Sequence, residues 1–255
     1  MGKKRELQSS RYELKYLIPE DLAVGVRRYI LGFLEPDEYA AKSPNFRYPV
    51  RSVYLDSPSY TLYRQTQQGS KNRYKLRIRF YDELEDSPCF LEIKRREYDV
   101  IKKQRVAVTR RGAMLAADGY MVGAEHLLVS DAKRDKGVQG IMDFCTLRDH
   151  IEAIGKTYVA YDREAYTSPV GSQIRVTFDR NLQAARYRPG AGIHLPRNVM
   201  PTALRGVVLE LKFTDRFPHW MHELVQVFNL QKQSVPKYVE CKEATAEDGA
   251  LWIEV

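Results

Sequence analysis

Hydrophobic and polar residues recur with a period near two along eight stretches of the chain. This period-2 pattern predicts strands at Arg11–Ile18, Val50–Asp56, Asn72–Tyr81, Cys89–Arg96, Gln104–Thr109, Thr157–Tyr166, Gln173–Asp179 and Gly206–Phe213. Between them the spacing lengthens to three or four. Pro19 suits a first helical turn, and Leu22, Val26, Ile30 and Phe33 follow at helical intervals. Ser57-Pro58 starts a short helix through Tyr63. Ile141 to Ile154 predicts a third helix, with Phe144, Arg148 and Ile151 in step, and Pro218 opens a fourth with Met221, Leu224, Val225 and Phe228 as its buried stripe. Glu85–Pro88, Ala132–Gly137 and Arg188–Pro201 read as loops. With no internal repeat and no long linker, the pattern predicts one antiparallel-rich α+β domain over residues 10–255, behind a basic tail at 1–9.

The strands share a second regularity. Leu76, Ile78 and Phe80 face one way, and Lys75, Arg77 and Arg79 the other. Leu91 and Ile93 oppose Glu92, Lys94 and Arg96; Ile174, Val176 and Phe178 oppose Arg175, Thr177 and Asp179. Leu209, Leu211 and Phe213 oppose Glu210 and Lys212; Leu14 and Tyr16 oppose Glu13 and Lys15. A sheet with one wet face is the bland reading. Against it stands the bias in sign: two cations about 6 Å apart repel by roughly 3 kcal/mol at an effective dielectric near 20. A merely solvated face mixes its signs more evenly. A face of Arg and Lys is relieved by a multivalent anion, with Arg binding phosphate as a planar fork and Lys as a point charge. If helices cover the apolar side and the sheet closes, the charged side becomes a lumen.

Composition sharpens this picture. The net charge is +8, and the segment Lys71–Arg111 alone carries 13 Lys and Arg against 7 Asp and Glu. Nucleic acid, an acidic lipid surface or a polyphosphate compound are the partners such a concentration favours. Three cysteines in the chain, with no CxxC spacing, suggest neither a disulfide framework nor a cysteine zinc site, and fit a cytoplasmic setting. No apolar run reaches the roughly 18 residues of a membrane span, and the basic start is not followed by a signal-type apolar segment. His219 and His222 stand beside Glu223 but lack a third zinc ligand. No G-x-x-x-x-G-K-[ST] loop occurs, so a phosphate site here is not of the P-loop type.

Nine segments in order, "ELKYLI", "RSVYLDSPSYTLYR", "YKLRIRFY", "CFLEIKRR", "KQRVAVTR", "YVAYDREAY", "IRVTFDRNL", "VLELKF" and "VPKY", resemble the VTC domain. This is the polyphosphate polymerase domain of the triphosphate tunnel metalloenzyme superfamily, related to the CYTH proteins. The resemblance implies a closed, roughly eight-stranded antiparallel β-barrel with helices packed outside. It implies transfer of the ATP γ-phosphoryl group to polyphosphate, with Mn²⁺ or Mg²⁺ and with a separate membrane protein as a possible partner. By position, Lys15, Arg77, Arg79, Lys94, Arg163, Arg175 and Lys237 match the family's tunnel cations, and Glu210 its metal-binding glutamate. Arg77, Arg79, Lys94 and Arg175 are then the residues expected on the nucleotide's phosphates. There are departures. Pro236 stands where the family often has Ser, Lys232 and Lys242 are out of register for a second C-terminal lysine, and Arg11 replaces the first Glu of the wider superfamily's ExExK signature.

Two other functions fit the same residues: an inorganic triphosphatase, or a module that binds polyphosphate or inositol pyrophosphate without chemistry. A nucleic-acid binder fits less well, because Phe80 and Phe178 fall opposite the cations and not among them.

Overall fold

The computed structural model describes residues 11–98, 100–170 and 174–250. The expected tail at 1–9 and the start of the strand expected at Gln173 lie outside these residues. Ten strands and seven α-helices alternate in the order β1 (Arg11–Ile18), α1 (Glu20–Ile30), β2 (Glu35–Pro36), α2 (Glu38–Ala41), β3 (Arg47–Asp56), α3 (Thr61–Gln67), β4 (Asn72–Phe80), β5 (Cys89–Glu97), β6 (Val100–Val108), α4 (Arg110–Ala117), α5 (Arg134–His150), β7 (Ile154–Thr167), β8 (Arg175–Arg186), β9 (Met200–Pro201), β10 (Val207–Thr214), α6 (His219–Val227) and α7 (Lys237–Ala250).

All the strands form one antiparallel sheet in the order β1-β10-β8-β7-β3-β4-β5-β6, with β2 beside β7 and β9 beside β8. Register shifts at Tyr54/Leu55 and at Ala160/Asp162 add the local bend and twist that β-bulges bring. The end strands β1 and β6 come near each other, yet no hydrogen-bonded register joins them among the described residues. The fold is α+β with an antiparallel sheet, as expected; hydrogen bonds do not close that sheet into the expected barrel, and side chains bridge it near the seam, Lys94 Nζ of β5 lying 3.0 Å from Glu13 Oε2 of β1.

The apolar face lies outward, as the alternation predicts. Leu76, Ile78, Phe80, Leu91 and Ile93 are buried against Ala113, Ala116 and Ala117 of α4 and Ile141 and Phe144 of α5. Val176, Phe178, Leu209 and Leu211 are buried against Val26 and Ile30 of α1 and Met221 and Leu224 of α6. Each such side chain contributes about 1.5–3 kcal/mol on burial.

Three local expectations change. Helix α1 ends at Ile30, and the turn at Gly32 carries Phe33 outward to stack on Trp220, with ring centroids 4.8 Å apart and planes 5° apart. The polar run expected as a loop at Ala132–Gly137 is a 3-10 turn at Asp131–Lys133 leading straight into α5. Glycine serves close packing there: a Cβ at Gly137 would meet the Leu127 side chain at 2.8 Å. Helices α4 and α7, read from no periodicity, are also present. Among the described residues no helix is long and apolar enough to cross a membrane, and all three cysteines are free and buried.

Candidate functional site

The inward face of the sheet encloses a cavity of about 940 Å³ lined by twelve Lys and Arg and by three Glu. All eight residues matched by resemblance line it: Lys15 and Glu210 from β1 and β10, Arg77 and Arg79 from β4, Lys94 from β5, Arg163 from β7, Arg175 from β8, and Lys237 at the start of α7. Strand register explains the convergence. Arg77 is paired with Glu92 and Glu92 with Arg105 across β4, β5 and β6, while Lys15 is paired with Glu210 and Glu210 with Thr177 across β1, β10 and β8. Residues paired in register point to the same side of a sheet.

The cations are organised by a few buried carboxylates. Glu92 is fully buried and serves four of them: Arg77 Nε donates to it at 2.6 Å, Lys103 Nζ lies at 2.7 Å, Arg105 Nε at 3.5 Å and Arg79 Nε at 3.9 Å. Burial opposes its ionisation, but the positive charge of Arg77, Arg79 and Lys103 prevails and holds the carboxyl far below the usual range. Glu92 is thus the ion-pair centre of its face.

Glu210 is the second centre, also with four cations. Lys237 Nζ lies 2.8 Å and Lys15 Nζ 3.3 Å from Oε1, and Lys212 Nζ 2.5 Å and Arg163 Nη2 3.4 Å from Oε2. Thr177 Oγ1 donates to Oε2 as well. Asp179, buried beneath, accepts a two-pronged bond from Arg163, with both contacts at 2.7 Å, and lies 2.7 Å from Lys237. Glu13 shares Lys15 with Glu210 at 3.2 Å. Burial opposes ionisation of Glu13 and Glu210, yet the lysines around them hold both carboxyls well below the usual range.

Aromatic rings join the two centres. Arg79 Nη2 donates to the Tyr161 hydroxyl at 3.3 Å, and Arg163 and Lys237 each lie 5.2 Å from the centre of that ring. Arg77 Nη1 donates to the Tyr54 hydroxyl at 3.0 Å, and Tyr54 stacks on Tyr238 of α7 at 4.8 Å. Arg175 sits nearer the rim, 38% exposed, with Nη2 donating to Asp37 Oδ2 at 2.6 Å and to the Tyr48 hydroxyl at 3.1 Å.

Several cavity residues were not singled out from the sequence. Lys75, Lys103, Arg105 and Lys212 line the cavity beside the expected cations. The alternation already placed Lys75 and Lys212 on the charged face and extends to Arg105, whereas Lys103 precedes the strand expected at Gln104–Thr109. Tyr48, Tyr54, Tyr81 and Tyr161 also line it. Phe80 and Phe178 are buried on the other side as expected. Lys232 pairs with Tyr16 in an isolated bridge, and the Lys242 ammonium lies 4.9 Å over Tyr60. Lys212 adds an ammonium at Glu210.

Among the described residues no group of three or more His, Cys, Asp or Glu could hold a metal alone. His219 is 89% exposed and pairs with Glu223 at 3.3 Å, as expected of a surface residue. Mg²⁺ and Mn²⁺, however, take oxygen ligands, and Mg²⁺ is commonly held by one or two carboxylates together with substrate phosphates. Glu210 and Glu13, both ionised and both facing the basic cavity, fit such a shared site.

The VTC domain family model matches residues 10–245 of the chain. No curated protein matches it. Among solved structures, the chain is similar to a putative adenylate cyclase from Bacillus halodurans, with 14% identity, a TM-score of 0.45, and 89% of this chain and 94% of that one covered. A protein from Pyrococcus horikoshii matches with 13% identity and a TM-score of 0.44 over 90% of this chain and 96% of that one. The Mimivirus capping enzyme triphosphatase matches with 10% identity and a TM-score of 0.34 over 86% of this chain and 89% of that one.

Proposed function

The chain belongs to the VTC domain family, and on that premise we propose that it transfers the γ-phosphoryl group of ATP to a polyphosphate chain within the basic cavity. One observation carries this reading. Twelve cations surround a single cavity with three carboxylates on its lining, and even with Glu92, Asp179 and Asp37 behind them the cations outnumber the acids, an excess that a row of phosphates would neutralise.

Phosphoryl transfer asks for in-line positioning and neutralisation of charge, with little covalent work by the protein. Arg77 and Arg79, fixed by Glu92 and by the hydroxyls of Tyr54 and Tyr161, present guanidinium forks to the phosphates. Arg163, Lys15 and Lys237, gathered around Glu210, bear on the same cavity from the opposite strands. Lys94 and Arg175 complete the clamp. A terminal oxygen of the acceptor chain, already anionic, attacks Pγ. The bond from Pγ to the β–γ bridging oxygen breaks, and ADP leaves with that oxygen. No general base is required, because the attacking oxygen carries no proton that must be removed. Glu210, with Glu13, would hold Mn²⁺ or Mg²⁺. When bound, the ion would supply positive charge that stabilises the negative charge of the phosphates.

Arg77→Ala and Lys94→Ala test the assignment. Each abolishes ATP-dependent turnover in protein that still folds: Lys94→Ala, at a partly exposed pair, leaves the unfolding midpoint close to wild type, whereas Arg77→Ala lowers it because the buried Glu92 loses its shortest ion pair and keeps Lys103, Arg105 and Arg79. Turnover retained in either variant removes the assignment.

A further inference from the structure

Among the described residues the other lysines and arginines of the cavity lining each have a carboxylate within ion-pair distance, Lys102 with Glu97 at 2.6 Å for example, whereas Lys75 has none. It lies directly opposite Lys94 on β5, which lies directly opposite Lys103 on β6, so three lysines form a row across three adjoining strands. Like charges directly opposite one another destabilise a sheet. Lys94 is relieved by Glu13 at 3.0 Å, and Lys103 by Glu92 at 2.7 Å. Among the described residues Lys75 has neither an ion pair nor a hydrogen bond, although it is half-buried on the cavity wall. Its surroundings are cationic, with Lys15, Lys94, Arg73 and Arg77 all raising the cost of a proton there. Burial and these neighbours together push its ammonium well below the usual lysine range. A protein that only needed a folded sheet would be better served by a neutral residue at this position.

Place along the strand gives the feature a direction. Same-face residues on one strand are separated by about 7 Å. Lys75 therefore stands one step beyond Arg77 and two beyond Arg79, on the side of the cavity lined by Tyr12, Tyr98 and Ile101. Tyr98 is 64% exposed and Tyr12 36%, so the Lys75 side is one mouth of the cavity.

We propose that Lys75 forms a further anion subsite on the mouth side of the Arg77–Arg79 pair, occupied by the part of a polyphosphate chain that extends past a bound triphosphate. The residue then acts in substrate specificity, favouring long chains over short ones. Anion binding there returns the missing counter-charge and draws a proton onto the amine. This inference rests on the phosphate-binding reading of the cavity.

Calorimetric titration of the purified chain with inorganic triphosphate and with a long polyphosphate, without metal or ATP, separates the two ideas. Lys75→Met is expected to weaken long-chain binding at least tenfold more than it weakens triphosphate binding, and to raise the melting temperature of the unliganded protein. Equal losses for both ligands, or no loss for either, overturn the subsite while leaving the cavity a phosphate site. A lower melting temperature of the unliganded variant overturns it too, because the lysine would then have a partner. Wild-type protein that binds neither ligand overturns the functional reading, and the subsite with it. A second readout uses pyridoxal 5′-phosphate followed by borohydride. The subsite predicts that Lys75 is labelled and that long polyphosphate protects it, and labelling that ignores the polymer contradicts it.

Discussion

The Lys237 ammonium lies 2.8 Å from Glu210 Oε1 and ties the start of the C-terminal helix to the cavity wall. The same ammonium lies 2.7 Å from Asp179. Although burial opposes its charge, the two carboxylates raise its pKa above the usual lysine range. Lys237 is thus held charged by two buried acids.

Removing that charge leaves both acids undercompensated. Breaking one partner of a buried ion pair costs about 3–5 kcal/mol. Arg163, Lys15 and Lys212 remain near the acids, which places Lys237→Met toward the lower end, at about 3 kcal/mol. Urea unfolding measures it. A loss below about 1 kcal/mol would mean that the helix is not anchored through this contact.

Glu210 is surrounded by four cations, and its two suggested roles predict opposite results. As a metal ligand it is needed for turnover. As a negative charge in a basic cavity it opposes anion binding. Glu210→Gln therefore abolishes Mn²⁺-dependent turnover and at the same time tightens metal-free polyphosphate binding several-fold. Turnover that persists in the variant with unchanged metal dependence removes the metal assignment.

Lys103 gives the cavity a pH dependence. Burial, with Arg77 and Arg79 nearby, pushes its ammonium down to about 7 despite its pair with Glu92. Between about pH 7 and the ordinary lysine value the unliganded site lacks this proton, and a bound polyanion favours its return. Affinity for polyphosphate is then highest below pH 7 and falls as pH rises toward 9, with proton uptake on binding at pH 8. Lys103→Arg flattens this part of the profile. Calorimetry in buffers of different ionisation enthalpy measures the uptake, and an uptake of zero contradicts the assignment.

The strands and their faces were legible in the sequence where the alternation is clean, as in Leu76, Ile78 and Phe80 against Lys75, Arg77 and Arg79. The helix start at Arg134 was not, because the packing that favours Gly137 and Gly140 lies on β6 and a neighbouring turn. The eight matched residues do meet in one cavity. What a linear reading could not supply was their partners. Lys94 and Glu13 are 81 positions apart, and Arg79 and Tyr161 are 82. Nor could alternation decide whether the ladder closes, since that depends on the final geometry of β1 against β6.

The central claim is that the basic cavity transfers phosphoryl groups from ATP to a growing polymer. Incubation of the purified chain with ATP labelled at the γ-phosphate and Mn²⁺, followed by separation of products, tests it directly. Transfer predicts ADP together with an acid-labile polymer that carries the label. Release of the label only as inorganic phosphate, or intact ATP under conditions where polyphosphate binds, would contradict it.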